Sequence, residues 1–209
     1  MSLSKFLARQ SGHPSGLFGK LVLPRIWNKR NTALNDLALT KLALSSQDRV
    51  LEIGFGGGHL LSRMAGVVTE GLVAGVDVSQ AMVDFCRRQY QAQVKTGKVE
   101  LKRALAESLP FPDNHFSKVC SVNSIFYWYN TPQVLSEIRR VLVDDGLLVL
   151  CFTCKTAMEN KRFAQQNNVT LYTIDQVKHL LETAGFRQIQ TTQANDKHRD
   201  FFCVVGNKD

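Results

Sequence analysis

The segment Val50–Leu60, VLEIGFGGGHL, carries a carboxylate at Glu52, glycines at 54, 56, 57 and 58, and then an apolar helical start. A strand that breaks into glycines and reopens as a helix offers bare main chain to a ligand, because only residues without a Cβ permit so close an approach. Nineteen residues beyond Gly58, Asp77 closes a second apolar run, GLVAGVD. A carboxylate at a strand end can accept hydrogen bonds from both hydroxyls of a vicinal diol. Glycine loop and acid together suit a nucleoside-type ligand.

The dinucleotide fingerprint GxGxxG would place its third glycine at position 59, where this chain has His59. That glycine allows close helix–strand packing, so its absence counts against a nicotinamide dinucleotide.

The elements that must position these residues alternate. DRVLEI (48–53), GLVAGVD (71–77), VELKRA (99–104) and FSKVCSV (116–122) read as strands. HLLSRMAG reads as a helix stopped near Gly66, and a second helix runs from a Ser79 cap through about Val94 to Gly97. A third starts at Pro132 and runs to about Val143, and Asp144, Asp145 and Gly146 turn the chain into LLVLCF. Thr173 and Gln176 fit a capping box before VKHLLETAG, which Gly185 ends. FRQIQTTQ and FFCVVGN close the chain as two strands joined by the polar ANDKHRD turn. The alternation implies a parallel, helix-covered sheet with a C-terminal hairpin. In such sheets ligands bind outside the carboxyl ends of the strands, where Glu52–Gly58, Asp77, Ala104–Glu107 and Asn123–Trp128 all fall.

With 209 residues and 44% hydrophobic content, the chain suits one full-sized core. The formal charge of +8 is unevenly placed. Lys5, Arg9, Lys20, Arg25, Lys29 and Arg30 lie in residues 1–35 with no acid among them, and the remainder is near neutral. Residues 1–45 therefore read as a basic arm and helix, able to act as a lid, and 46–209 as the ligand-binding domain. The arm could meet an anionic membrane surface or an acidic substrate, or simply be solvated. No ladder of basic and aromatic residues points to nucleic acid. No apolar run reaches the roughly 18 residues of a membrane span, and no signal-peptide core is visible, so a cytoplasmic location is expected.

The five cysteines include one CxxC pair, Cys151 and Cys154. Without a second pair or suitably spaced histidines this is not a zinc pattern, so no metal site is expected and the thiols read as reduced core residues.

From Asp48 to Phe152 four stretches occur in order: VLEIGFGGG, GVDVSQAM, ALAESLPFPDNHFSKVCSVNSIFYW and LSEIRRVLVDDGLLVL. Together they resemble the class I S-adenosylmethionine-dependent methyltransferases, within them the small single-domain group called type 11. The resemblance implies an α/β fold, a Rossmann-like doubly wound seven-stranded sheet with six parallel strands, an antiparallel last one (FFCVVG) and helices on both faces. It implies S-adenosylmethionine as cofactor, and methyl transfer to a small-molecule or lipid-like acceptor by in-line displacement.

Carried over by position, Glu52 with Gly54, Gly56 and Gly58 would hold the methionine end, and Asp77 the ribose. Val78 and Met82 would lie on the adenine face, Ala106 and Glu107 at its edge, and Asn123 near the sulfonium. The family often writes Gly-Asp-Ala before this glutamate, whereas this chain has Ala104, Leu105 and Ala106, which leaves the usual acceptor for the adenine amino group missing.

The acceptor pocket would draw on Trp27 and Arg30 from the arm and on Phe126, Tyr127 and Trp128, rings that equally suit core packing. His13, His115, Tyr127 and Tyr129 could titrate near such a pocket, and none is singled out as a base. Two other classes stay open: an NAD-type oxidoreductase, and a non-catalytic module that keeps the nucleoside pocket.

Overall fold

Residues 31–159, 164, 169–197 and 199–209 are described by the computed structural model. The apolar runs form seven strands: β1 Arg49–Ile53, β2 Leu72–Asp77, β3 Val99–Arg103, β4 Phe116–Val122, β5 Leu142–Thr153, β6 Phe186–Asp196 and β7 Arg199–Lys208. They lie in one sheet in the order β3-β2-β1-β4-β5-β7-β6. β1 to β5 pair in parallel, and β7 runs antiparallel to both β5 and β6. Six strands thus share one direction and one opposes them, as expected. The order reverses between β1 and β4, so the loops leaving those two strands open a crevice between them.

Helices cover both faces: α1 Thr32–Leu42, α2 His59–Val67, α3 Gln80–Gln89, α4 Gln91–Lys95, α5 Thr131–Val141, α6 Lys155–Met158 and α7 Ile174–Thr183. Because side chains alternate along a buried strand, β1 serves two cores at once. Val50 packs with Leu34 and Ala38 of α1, Met64 of α2 and Val83 of α3. Leu51 and Ile53 face the other side with Leu135 and Ile138 of α5 and Leu181 of α7.

Several boundaries differ from expectation, each for a local reason. The arm through Arg30 lies outside the described residues. The helix after Ser79 breaks at Tyr90 (φ −109°, ψ 32°) into α3 and α4. There the ring turns inward, and its hydroxyl donates to the Gly58 carbonyl at 2.9 Å. Ser79 holds the cap position without a side-chain cap bond. α2 runs one residue past Gly66, and α5 starts at Thr131, capped by the Asn130 side chain, and stops at Val141. Asp144–Gly146 loops out inside β5, where the pairing with β4 slips between Phe116–Leu142 and Lys118–Leu147 and Asp145 takes φ +61°. The capping box at Thr173 and Gln176 is present as expected.

Asp48 anchors the start of β1 from below. Its carboxylate accepts from the Ser45 N–H at 2.6 Å, the Ser117 hydroxyl at 2.7 Å and Lys118 Nζ at 2.9 Å. Burial pushes this acid upward, but those three donors outweigh it and hold it below the usual carboxylate range. A depressed folded value adds stability above the unfolded one and loses it as pH falls. Asp48→Ala should cost about 2–3 kcal/mol at pH 7, because it removes the counter-ion of a partly buried lysine and orphans a backbone N–H. Urea unfolding should show this deficit shrinking as the pH falls from the ordinary carboxylate range through the lower folded value of Asp48.

Candidate functional site

Glycine is required in the loop after β1 for two separate reasons. Gly54, Gly56 and Gly58 take φ values of +78°, +51° and +72°, a region that L side chains avoid. At Gly54 a Cβ would stand 2.3 Å from Ser124 Oγ, so the loop after β1 touches the loop after β4 across the crevice.

Asp77 fastens that loop. Its Oδ2 accepts from the Gly56 N–H at 2.9 Å and its Oδ1 from the Ser79 N–H at 2.8 Å. Each oxygen keeps a further lone pair. The Gly54 N–H donates to the Val76 carbonyl at 2.8 Å, a second tie from the loop to β2. On the far side Tyr90 and Cys86 reach the carbonyls of Gly58 and Gly56 at 2.9 and 3.5 Å. The main chain of the cradle is therefore held from both flanks.

Glu52, one strand over from the end of β2, is 3% exposed. Its Oε2 is buried without a hydrogen-bond partner. Burial, followed by the negative charge of Asp77, pushes its carboxyl up to about 8, while the Leu61 amide at the start of α2 pulls the other way. Burial likewise raises Asp77 against the two amides that favour its charge. A buried acid with an open acceptor beside a half-buried one suits a cationic or hydroxyl-rich ligand.

The structure sorts the remaining expectations. Val78 follows Asp77 and is 47% exposed, an apolar surface at the rim. Met82 is buried in the core between α2 and α3. Ala106 is buried in the opposite core. The Glu107 carboxylate accepts from the Tyr129 and Asn130 amides at 2.8 and 3.3 Å, tying the β3–β4 connection to the start of α5. Leu105 is 61% exposed.

Asn123 sits at the tip of β4 with φ +53°. Phe126 and Trp128 pack into the core, whereas Tyr127 between them is exposed. Trp27, Arg30 and His13 lie outside the described residues. His115 meets Arg49 at the amino ends of the strands, opposite the crevice, and is no base for chemistry there. His59 accepts on Nδ1 from the buried Asn35 of α1 at 3.1 Å, and burial and Arg63 lower it against Asp36.

Sequence reasoning missed Ser124, Tyr90 and Arg199. The break in polarity at Tyr90, inside RRQYQAQ, was its available signal, while the other two act through contacts distant in sequence. The cysteines are buried free thiols.

Glu52→Gln isolates the acid that burial destabilises. A folded value raised above the unfolded one contributes stability below the unfolded pKa and loses it as pH rises through the folded value. Wild-type stability should therefore fall between about pH 4.5 and 8 through this group. Urea unfolding of Glu52→Gln across that range should show a shallower decline, and an unchanged slope would refute the assignment.

Residues 51–150 match the family model described as a methyltransferase domain. The uncharacterized methyltransferase YdaC of Bacillus subtilis is 31% identical over 182 residues, covering 85% of this chain and 93% of its own length. The ubiquinone/menaquinone biosynthesis C-methyltransferase UbiE of Coxiella burnetii is 30% identical over 55% of this chain. This chain spans only part of several curated relatives that it matches, 46% of UbiE and 59% of another. A crystal structure of an S-adenosylmethionine-dependent methyltransferase from Aquifex aeolicus superposes with a TM-score of 0.69 at 19% identity, covering all of both chains.

Proposed function

The chain belongs to the class I S-adenosylmethionine-dependent methyltransferases of type 11, and on that premise we propose that its acceptor is a small molecule or lipid-like compound, methylated by in-line displacement. The observation that carries the reading is the pair of acids, Glu52 buried and Asp77 half-buried, flanking a glycine cradle at the sheet's switch point. Both fit the cofactor. Asp77 has lone pairs left for a diol, and the unpartnered Glu52 oxygen offers an acceptor to an ammonium group.

In this reading Glu52 and the loop through Gly54, Gly56 and Gly58 hold the amino-acid end of the cofactor, and Asp77 holds its ribose. Val78 and Met82 lie on the adenine face, Val78 as an exposed apolar surface. Ala106 and Glu107 form the adenine edge through their main chain, since the Glu107 carboxylate is committed to α5. Asn123 stands at the sulfonium end. When bound, the cofactor supplies a methyl carbon attached to a positively charged sulfur.

The chain's own task is alignment and exclusion of water. Holding two reactants in line can supply about 7–11 kcal/mol of the barrier. A base is needed only where the acceptor must lose a proton.

What supports the acceptor class is the relative whose name places it in quinone biosynthesis. The exposed ring of Tyr127 beside the crevice offers an apolar wall for such a compound. Residues 1–30, with Trp27 and Arg30, complete the pocket as a cationic lid in this proposal. Among the described residues no helix is long and apolar enough to cross a membrane.

Radiolabelled methyl transfer into fractionated extract tests the reading. Label should enter the organic-soluble small-molecule or lipid fraction. Label confined to protein or nucleic acid would overturn the acceptor class, and S-adenosylhomocysteine binding without any transfer would leave a binding module. Asp77→Ala should weaken S-adenosylhomocysteine at least about tenfold in calorimetry, since hydrogen bonds to a charged group are worth about 1.5–3 kcal/mol each. Deleting residues 1–30 should weaken cofactor binding or abolish turnover with the fold retained by circular dichroism. Unchanged affinity and activity would sink the lid.

A further inference from the structure

A chain of side-chain amides crosses the rim of the site and ends on a residue from the far end of the sequence. Asn123 begins the loop after β4, and its N–H donates to the Cys151 carbonyl at 2.8 Å. Its side-chain Oδ1 accepts from the Thr153 N–H at 2.8 Å and from the Thr153 hydroxyl at 3.1 Å. Its Nδ2 donates to Asn31 Oδ1 at 2.9 Å. The same Asn31 oxygen accepts from Arg199 Nη2 at 3.0 Å.

Two members of this chain can only donate: the Thr153 backbone N–H and the Arg199 guanidinium. They set the orientation of both carboxamides between them. Reversing Asn31 would face its NH2 toward Arg199, and reversing Asn123 would face its NH2 toward the Thr153 amide. The arginine is itself held, with 17% of its side chain exposed and the Asp196 carboxylate 3.9 Å from its Nε. Asn31 also precedes the first turn of α1, where its carbonyl accepts from the Asn35 N–H at 2.8 Å. Beside Asn123, Ser124 lies against Gly54, so any tilt of this loop passes directly to the cradle.

We propose that Arg199 is a positioning residue that, through Asn31, holds the Asn123 carboxamide and the β4 tip in the pose presented to the reacting end of the cofactor, and fastens the start of α1 at the same point. The kinetic consequence rests on the methyltransferase reading above, whereas the latch is measurable without any ligand.

The test compares wild type with Arg199→Ala, Arg199→Met, Asn31→Ala, Asn31→Asp and the double alanine variant. Hydrogen exchange of the ligand-free proteins should rise about tenfold in Arg199→Ala and Asn31→Ala, both at the start of α1 and across Asn123–Tyr127. Affinity for S-adenosylhomocysteine should fall about three- to tenfold in the same two variants. Because they break one chain, the double variant should be no worse than the worse single. Asn31→Asp keeps an acceptor for both donors and should stay within about twofold of wild type.

Unchanged exchange in Arg199→Ala, multiplied losses in the double variant, or Asn31→Asp as damaged as Asn31→Ala would each overturn the proposal. Should Arg199→Ala fail to fold, Arg199→Met, which keeps an apolar stem and removes the donors, gives the same comparison with Asn31→Ala. A wild type that neither binds S-adenosylhomocysteine nor transfers methyl would defeat the functional reading alone, leaving the exchange result to judge the latch.

Discussion

The bond from the Gly56 amide to the Asp77 carboxylate joins the two halves of the site. Without it the Gly56 amide, in the middle of three left-handed glycines, would lose its tie to β2, and glycine loses more freedom on ordering than any other residue. With it, the end of β2 sets the path of the loop, while Glu52 is aimed by its place in β1. The arrangement carries a local cost. A buried acid, with one oxygen that has no partner, lies near a half-buried one, and desolvation raises both. Strain and unsatisfied polarity of this kind are characteristic of sites organised for a ligand rather than for stability.

The sheet explains why that cost falls here. Strand order reverses between β1 and β4, so no crossover fills the space between their carboxyl ends. The contact between Gly54 and Ser124 spans this gap, and both bordering loops use positive φ, at Gly54 and Asn123. Elsewhere the same sheet is a conventional two-sided core, with α1, α2 and α3 on one face and α5 and α7 on the other. Rigid packing below and strained loops above divide the molecule into a scaffold and a working edge.

The working edge is also where the start of the described chain meets the start of β7. α1 docks on α2 through Asn35 to His59 and Asp36 to Arg63, and it reaches the β4 tip and β7 through Asn31. His59, which removes the third glycine of a dinucleotide fingerprint, thus serves as an attachment point for α1. A large side chain at the start of α2 holds this helix pair together where a glycine would bring helix and strand closer.

The strands, their direction and the cradle were legible in the sequence because they depend on local rules: apolar runs of strand length, glycine where φ must be positive, an acid closing β2, and a capping box at Thr173. The motif order from Asp48 to Phe152 carried the family in the same way. Tertiary structure alone decided the rest. Whether Phe126 and Trp128 wall a pocket or fill a core depends on which face the turn after β4 presents, and that turn buries both while exposing Tyr127. Glu107 turned to the amides at the start of α5 because those donors lie within reach only once the β3–β4 connection has folded back. Tyr90 broke a helix in order to reach Gly58, 32 residues away. Asn31 and Arg199 are 168 positions apart, and nothing in their neighbours' sequence pairs them. Periodicity and propensity act over a few residues, whereas hydrogen bonds among side chains form wherever folding brings donor and acceptor together.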